Sequence, residues 1–303
     1  MRKLFLMLAL AASITSAMAD IAKSVMLHHD GQVTMYDYDE VQKAVDDATD
    51  GDTIYLAEGT FSPFNINKRI MVRGAGAGTI VQGNCQINIS GTEKLHMPVL
   101  DAICFNGTVN VADAYRQFTL RKVKCEYLFF TGTEHHDAKL DRCYIYGVFH
   151  LSQNVREFNA VGSKISHLKP YDHTTGQLEF NHCSIYQVQD TITAVFRNSI
   201  VGGYSKGSIA VKVFIGCYFN NSTSGSSIAE SCTVTDSKSG SVYSNCEYNG
   251  NPGISSEDGT KIGAYGGQYP FTQNPELPKV SKHAISVDAA SKKLNVTLTV
   301  DKK

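Results

Sequence analysis

One short phrase recurs between residues 121 and 249: an apolar residue, two variable ones, Cys or Ser, another variable residue, then an apolar one. It appears as Leu140-Asp141-Arg142-Cys143-Tyr144-Ile145 and as Phe180-Asn181-His182-Cys183-Ser184-Ile185. It returns at Phe196-Arg197-Asn198-Ser199-Ile200-Val201 and Phe214-Ile215-Gly216-Cys217-Tyr218-Phe219. Taking Cys85, Cys104, Cys125, Cys143, Ser163, Cys183, Ser199, Cys217, Cys232 and Cys246 as anchors, the gaps run from 14 to 21 residues. A period near twenty signals stacked supersecondary units, none able to bury its apolar face alone. The leucine pattern of a leucine-rich repeat is missing. Within a unit the anchor and the residue two further on alternate together, as Cys125 with Tyr127 or Cys143 with Ile145. A period of two sends both to the inside of a coil of strands. Asn84, Asn198, Gly216 and Asn245 precede anchors, where a chain turning a corner favours residues tolerant of left-handed backbone.

The same register bears on the eight cysteines. An even count suggests disulfides in an exported chain, and export is the expectation from the N-terminus. Met1-Arg2-Lys3, the apolar run 4–14 and Ala17-Met18-Ala19 have the pattern of a secretory signal peptide ending at residue 19. Side chains at one position of stacked strands lie about 4.8 Å apart, however, too far for the Cβ separation of a disulfide. An internal ladder of reduced thiols, interleaved with Ser163 and Ser199, is the expectation. No Cys-x-x-Cys pair suggests a metal, and none is expected. The net charge of −1 lacks the basic excess of a nucleic-acid binder. No stretch approaches the about 18 apolar residues of a membrane helix.

Ahead of the repeat, 24–29 and 32–36 read as a hairpin around Asp30-Gly31. Asp39 then caps a helix with Val41, Ala44, Val45 and Ala48 on one face, closed by a left-handed Gly51. Val41-Gln42-Lys43-Ala44-Val45, Gly51-Asp52-Thr53-Ile54-Tyr55-Leu56 and Glu58-Gly59-Thr60-Phe61 follow, with Arg73-Gly74-Ala75-Gly76 beyond. These segments resemble the opening of the pectin-lyase-like class. The resemblance covers residues 36–84, and the repeat carries it to about 250. It implies an all-β fold, a right-handed parallel β-helix with an N-terminal capping helix, and bacterial origin. The organisation expected is a signal peptide at 1–19, the β-helix at 20–268, and a Pro-containing segment with a strand pair at 269–303. The 269–279 stretch reads as a linker or an extended cover. The strand pair reads as a cap on the coil or a module of its own.

A β-helix enzyme works on one outer face, so the residues flanking the anchors are the candidates. Lys124, Glu126, Arg142, Tyr144, Tyr146, Lys164, His182 and Tyr186 form the expected ligand-binding patch. Rings that stack on sugars and cations that meet carboxylates suit an extracellular polysaccharide. A lyase would need a base, for which Lys124, Arg142 and Lys164 are the candidates, with calcium on acidic partners. The acidic residues nearby are Glu126, Asp137 and Asp141. The resemblance implies further signatures that the chain lacks: Asn-Thr-Asp and Gly-His-Gly of the hydrolases, and the Arg-x-Pro-x-x-Arg style of pectate lyases. The expectation is therefore a secreted, periplasmic or surface protein without catalysis, binding glycan or serving as a scaffold, and without cofactor. A polysaccharide lyase, or a glycoside hydrolase, is the alternative. Histidines at 135, 136, 150, 167 and 173 read as exposed or turn residues, because neighbours in a strand point to opposite sides.

Overall fold

The computed structural model describes residues 25–89, 99–113, 118–131, 138–152, 155, 157–170, 177–189, 194–205, 213–219, 233–235, 238–239, 256–272, 279–288 and 293–301. They form two compact units, 1–273 and 274–303. The signal-peptide stretch lies outside the described residues.

The first unit opens with strands Val25–His29 and Gln32–Tyr36, paired antiparallel. Their turn has Asp30 at φ 44° and Gly31 at φ 78°, the left-handed pair that a two-residue hairpin of this twist requires. The helix is Val41–Asp47, and Val41, Ala44 and Val45 bury its apolar face. Both expected caps are displaced. The N-cap is Glu40 rather than Asp39, and the helix ends at Ala48 in extended backbone, before Gly51. The reason is local competition. Asp52 takes the Thr49 N–H at 2.7 Å, while the Lys68 ammonium donates to the carbonyls of Val45 and Ala48 at 3.1 and 2.7 Å. A cation on the last carbonyls does the work of a glycine cap. The helix also protects a strand: the Gln42 side chain accepts from the Asn65 N–H at 2.8 Å. Asn65–Ile66 pairs only with Cys85–Asn88 among the described strands. A bare edge is thereby blunted.

Beyond the helix the chain is a parallel β-solenoid of two sheets, one of 12 strands that includes the opening antiparallel pair and one of 14. In the first sheet Thr53–Leu56, Met71–Arg73, Leu100–Asp101, Thr119–Arg121, Ala138–Asp141, Glu157–Val161, Gln177–Asn181, Ala194–Arg197, Val213–Ile215 and Thr233–Thr235 stack in chain order. Between this sheet and the second, the chain turns on one left-handed residue per coil. These are Ala102, Lys122, Arg142, Gly162, His182, Asn198 and Gly216, with φ between 49° and 59°. Asn198 and Gly216 match the expected corner; Ala102, Lys122, Arg142 and His182 do not. Each such non-glycine conformation costs roughly 1–2 kcal/mol. The corner N–H groups nevertheless continue the ladder: Lys122 to Asp141 O, Arg142 to Val161 O, His182 to Arg197 O, Asn198 to Ile215 O.

The residue after each corner is the true anchor, and it reads Ile103, Val123, Cys143, Ser163, Cys183, Ser199, Cys217. Cys104 and Cys125 therefore do not belong to the ladder. Cys104 lies opposite Lys124, and Cys125 opposite Ile145; Cys85 pairs with Val109. Apolar Ile103 and Val123 hold the anchor position in those turns, so no Cys or Ser marks it there. Tyr127 is also only half-buried, with Leu128 pointing inward instead. From Cys143 to Cys217 the expected Cys/Ser ladder is present, and all six described cysteines are free; Cys232 and Cys246 lie outside the described residues.

Its chemistry explains the residue choice. Ser163 Oγ accepts the Cys143 N–H at 3.1 Å, and Ser199 Oγ accepts the Cys183 N–H at 3.0 Å. Each side chain then donates to a carbonyl two residues back and, for Cys143, Cys183, Ser199 and Cys217, to a carbonyl one turn below. Cys183, for example, reaches Asn181 O at 3.4 Å and Ala160 O at 3.3 Å. A small side chain that both accepts and donates fills this buried corner; an apolar one cannot do both. Beside the ladder runs an aromatic stack, with ring centroids 5.5 Å apart for Phe158–Phe180, 5.1 Å for Phe180–Phe196 and 5.4 Å for Phe196–Phe214.

The second unit is an antiparallel hairpin, Lys279–Asp288 with Lys293–Asp301. Its first strand begins earlier than the sequence pattern at 284–287 suggests.

Candidate functional site

The expected patch resolves into two adjacent columns. Register places Cys104, Lys124, Tyr144, Lys164, Ser184, Ile200 and Tyr218 opposite one another on successive turns. Lys124, Tyr144 and Lys164 thus come together as anticipated. Arg142 and His182 stand in the corner column instead, beside Lys122 and Asn198. Glu126 follows the short strand Lys124–Cys125, and Tyr146 lies within Tyr144–Leu151 at a register shift, where burial and the Glu126 charge push its phenol upward. Tyr186 is set apart, edge-on to His167 with centroids 6.0 Å apart.

What the flanking-residue pattern does not reveal is that the chain covers this face itself. Residues 256–272 run back along the coil as a strap, from the Asn198 turn towards Cys104. At its start, the Glu257 N–H donates to Asn198 Oδ1 at 2.9 Å, and His182 Nε2 meets Asp258 Oδ2 at 3.1 Å. Ser256 and Thr260 hydroxyls also donate to Asp258 Oδ1. These hydrogen bonds, with His182 beside them, hold the Asp258 carboxyl far below the usual carboxylate range. Ile262 joins Ile200 and Tyr218 in a small apolar cluster. Gly263 N–H bonds Asn198 O at 2.7 Å, and Ala264 N–H bonds Ser184 Oγ at 2.9 Å. Gly266 and Gly267 lie so close to the His182 ring that a Cβ on either would stand 2.9 Å from it. His182, expected on the open face, is consequently 5% exposed beneath the strap.

Further along, the strap engages the cations. Lys164 Nζ donates to the Tyr265 hydroxyl at 3.1 Å and sits 5.2 Å from the ring centroids of both Tyr144 and Tyr265. Arg142 pairs with Asp141 through Nε at 2.9 Å and stacks 5.5 Å from the Tyr269 ring. Phe271 packs edge-on to Tyr144 at 6.1 Å. The strap ends at a shallow notch lined by Cys104, Lys122, Lys124, Arg142, Tyr144, Phe271 and Thr272. Lys124 lies over Tyr144 and Tyr146, at 5.9 and 5.6 Å. The composition of 250–267 signals turns, and 269–272 signals a linker or a cover. Only the fold shows which side chains it lands on.

Chemically, the arrangement is a mixed cation–aromatic surface, whose strap carboxylates Glu257 and Asp258 are engaged by Arg197 and His182. Asp141 is taken by Arg142, and Asp137 lies outside the described residues, as do His135, His136 and His173. Among the described residues no group of three His, Cys, Asp or Glu is placed to hold a metal ion. The cysteines are poor nucleophiles, because burial pushes Cys143, Cys183 and Cys217 up to about 12. A charged column on the first sheet leaves no mark in the linear pattern. Asp101, 2% exposed, is held by Arg121 at 2.9 and 2.6 Å and by Arg73 at 3.2 Å. Its in-register alternation of sign is a structural staple across three turns. No described helix is long and apolar enough to cross a membrane. Comparison with protein-family models, with curated proteins and with solved structures finds no match to this chain.

Proposed function

We propose that this is an exported β-helix protein of the pectin-lyase-like class that works without catalysis, as a glycan-binding surface scaffold. The observation that carries this reading is the commitment of Lys164 and Arg142 to the chain itself. A lyase base must reach a proton beside a substrate carboxylate with a clear approach. Lys164 is instead bonded to Tyr265 and enclosed by rings, and Arg142 is bonded to Asp141. The strap meanwhile offers a surface of its own. Tyr265 and Tyr269 are 46% and 56% exposed, each backed by a cation, a presentation suited to stacking on sugar rings.

The test is incubation with a panel of neutral and uronate polysaccharides, with and without calcium, read by binding and by the absorbance of unsaturated product. Saturable binding without turnover, weakened about tenfold or more by joint Tyr265→Ala and Tyr269→Ala substitution, is expected; stacking worth roughly 0.5–1.5 kcal/mol per ring sets that scale. Calcium-dependent product formation that vanishes in Lys124→Ala or Lys164→Ala would establish the lyase instead.

A further inference from the structure

The hairpin of the second unit presents a self-complementary edge. A two-stranded sheet is marginal alone, and three or more strands with an apolar face are needed for independent stability. Register puts Val280, His283, Ile285 and Val287 opposite Val300, Leu298, Val296 and Leu294, all on one face. The other face carries Lys282 with Thr299, Ala284 with Thr297, and Ser286 with Asn295. Among the described residues neither strand has a second neighbour.

The two edges are not equivalent. Lys279–Asp288 carries a bulge between Val280 and Lys282, a feature that discourages further pairing. Lys293–Asp301 is regular, and it begins with Lys and ends with Asp. Laid antiparallel against its own copy about Thr297, it matches Leu294 with Val300 and Val296 with Leu298 of the second copy. Asn295 meets Thr299, and Lys293 meets Asp301 at both ends. Sliding the copies by two residues keeps apolar on apolar but loses both charge pairs, so charge selects one register. Lys292 and Lys302 fall outside the strand's bounds.

We propose that Lys293–Asp301 is a dimerisation edge, pairing antiparallel with the same strand of a second copy to build a four-stranded sheet. Sedimentation analysis of the full chain over a concentration series tests it. A species of twice the chain mass is expected. Lys293→Asp and Asp301→Lys should each weaken association by roughly tenfold, since each places like charges opposite one another twice per dimer. Combining the two exchanges restores opposite charges between copies, and the dimer should return. That combination separates association from hairpin stability. Within the hairpin it leaves Asp288 facing an acid and Lys279 facing a base, so a variant failing through a weakened hairpin would be worst in the double. A monomer at every concentration, single variants that dimerise like the parent, or a double variant that stays monomeric would each overturn the proposal.

Discussion

Single residues in this molecule are chosen for hydrogen-bonding capacity in confined corners. Ser199 is fully buried, accepts from Cys183 N–H, and donates to Arg197 O and Phe180 O at 2.6 and 3.2 Å. Ser199→Ala removes only the hydroxyl and orphans a buried N–H, which should cost about 1–3 kcal/mol. Ser199→Cys retains an acceptor and a weak donor, as neighbouring turns already do, and should cost far less; thermal denaturation of both variants decides it. His29 offers a pH readout. Its Nδ1 lies 2.9 Å from Asp52 Oδ1, and that hydrogen bond, then the Asp52 charge, raises its pKa above the ordinary 6.5. The stabilisation is present in full below 6.5 and is lost as pH rises through the raised folded value. Protection factors of the Val25–His29 amides, taken relative to the intrinsic base-catalysed exchange rate at each pH, should accordingly fall from mildly acidic to alkaline pH, and His29→Gln should flatten that profile. An unchanged profile in His29→Gln would assign the effect elsewhere.

At the scale of elements, the strap and the helix do for the coil what side chains do for the corners. The strap lays Ile262 and Ala264 onto the second sheet and closes over His182. Gly266→Ala would drive a Cβ into the Lys261 carbonyl and the His182 ring. It should lift the strap, so that proteolysis within 256–272 speeds up while the coil's circular dichroism is retained. Uniform protection in parent and variant would contradict a strap held at that point. The Phe180, Phe196 and Phe214 stack belongs to the coil instead. Phe196→Ala removes a ring packed on both sides and should cost about 3–5 kcal/mol, shown by a lowered unfolding midpoint.

For the molecule as a whole, each turn contacts its neighbours in the stack, and the ends need covering. The helix covers the start through Val41, Ala44 and Val45, with Gln42 on the first exposed strand. Much of this was open to inspection in the chain alone. The apolar–x–x–Cys/Ser rhythm recurs because every turn presents the same corner and the same buried pair, so a coil of stacked strands, the inward ladder and reduced thiols follow from spacing and alternation. Local chemistry likewise made the Asp30-Gly31 hairpin readable. The register of the early turns was not readable, since Ile103 and Val123 replace the polar anchor and draw attention to Cys104 and Cys125 one or two positions away. Nor could a linear pattern show that Arg142 spends its guanidinium on Asp141, that Asp101 staples two arginines, or that residues 256–272 fold back over Lys164 and His182. Repetition within the chain encodes contacts between equivalent positions. A contact between a repeat and a non-repeating segment some 100 residues away, such as Lys164 with Tyr265, leaves no period to detect, and only the folded arrangement decides whether the outer face is a groove or a covered wall.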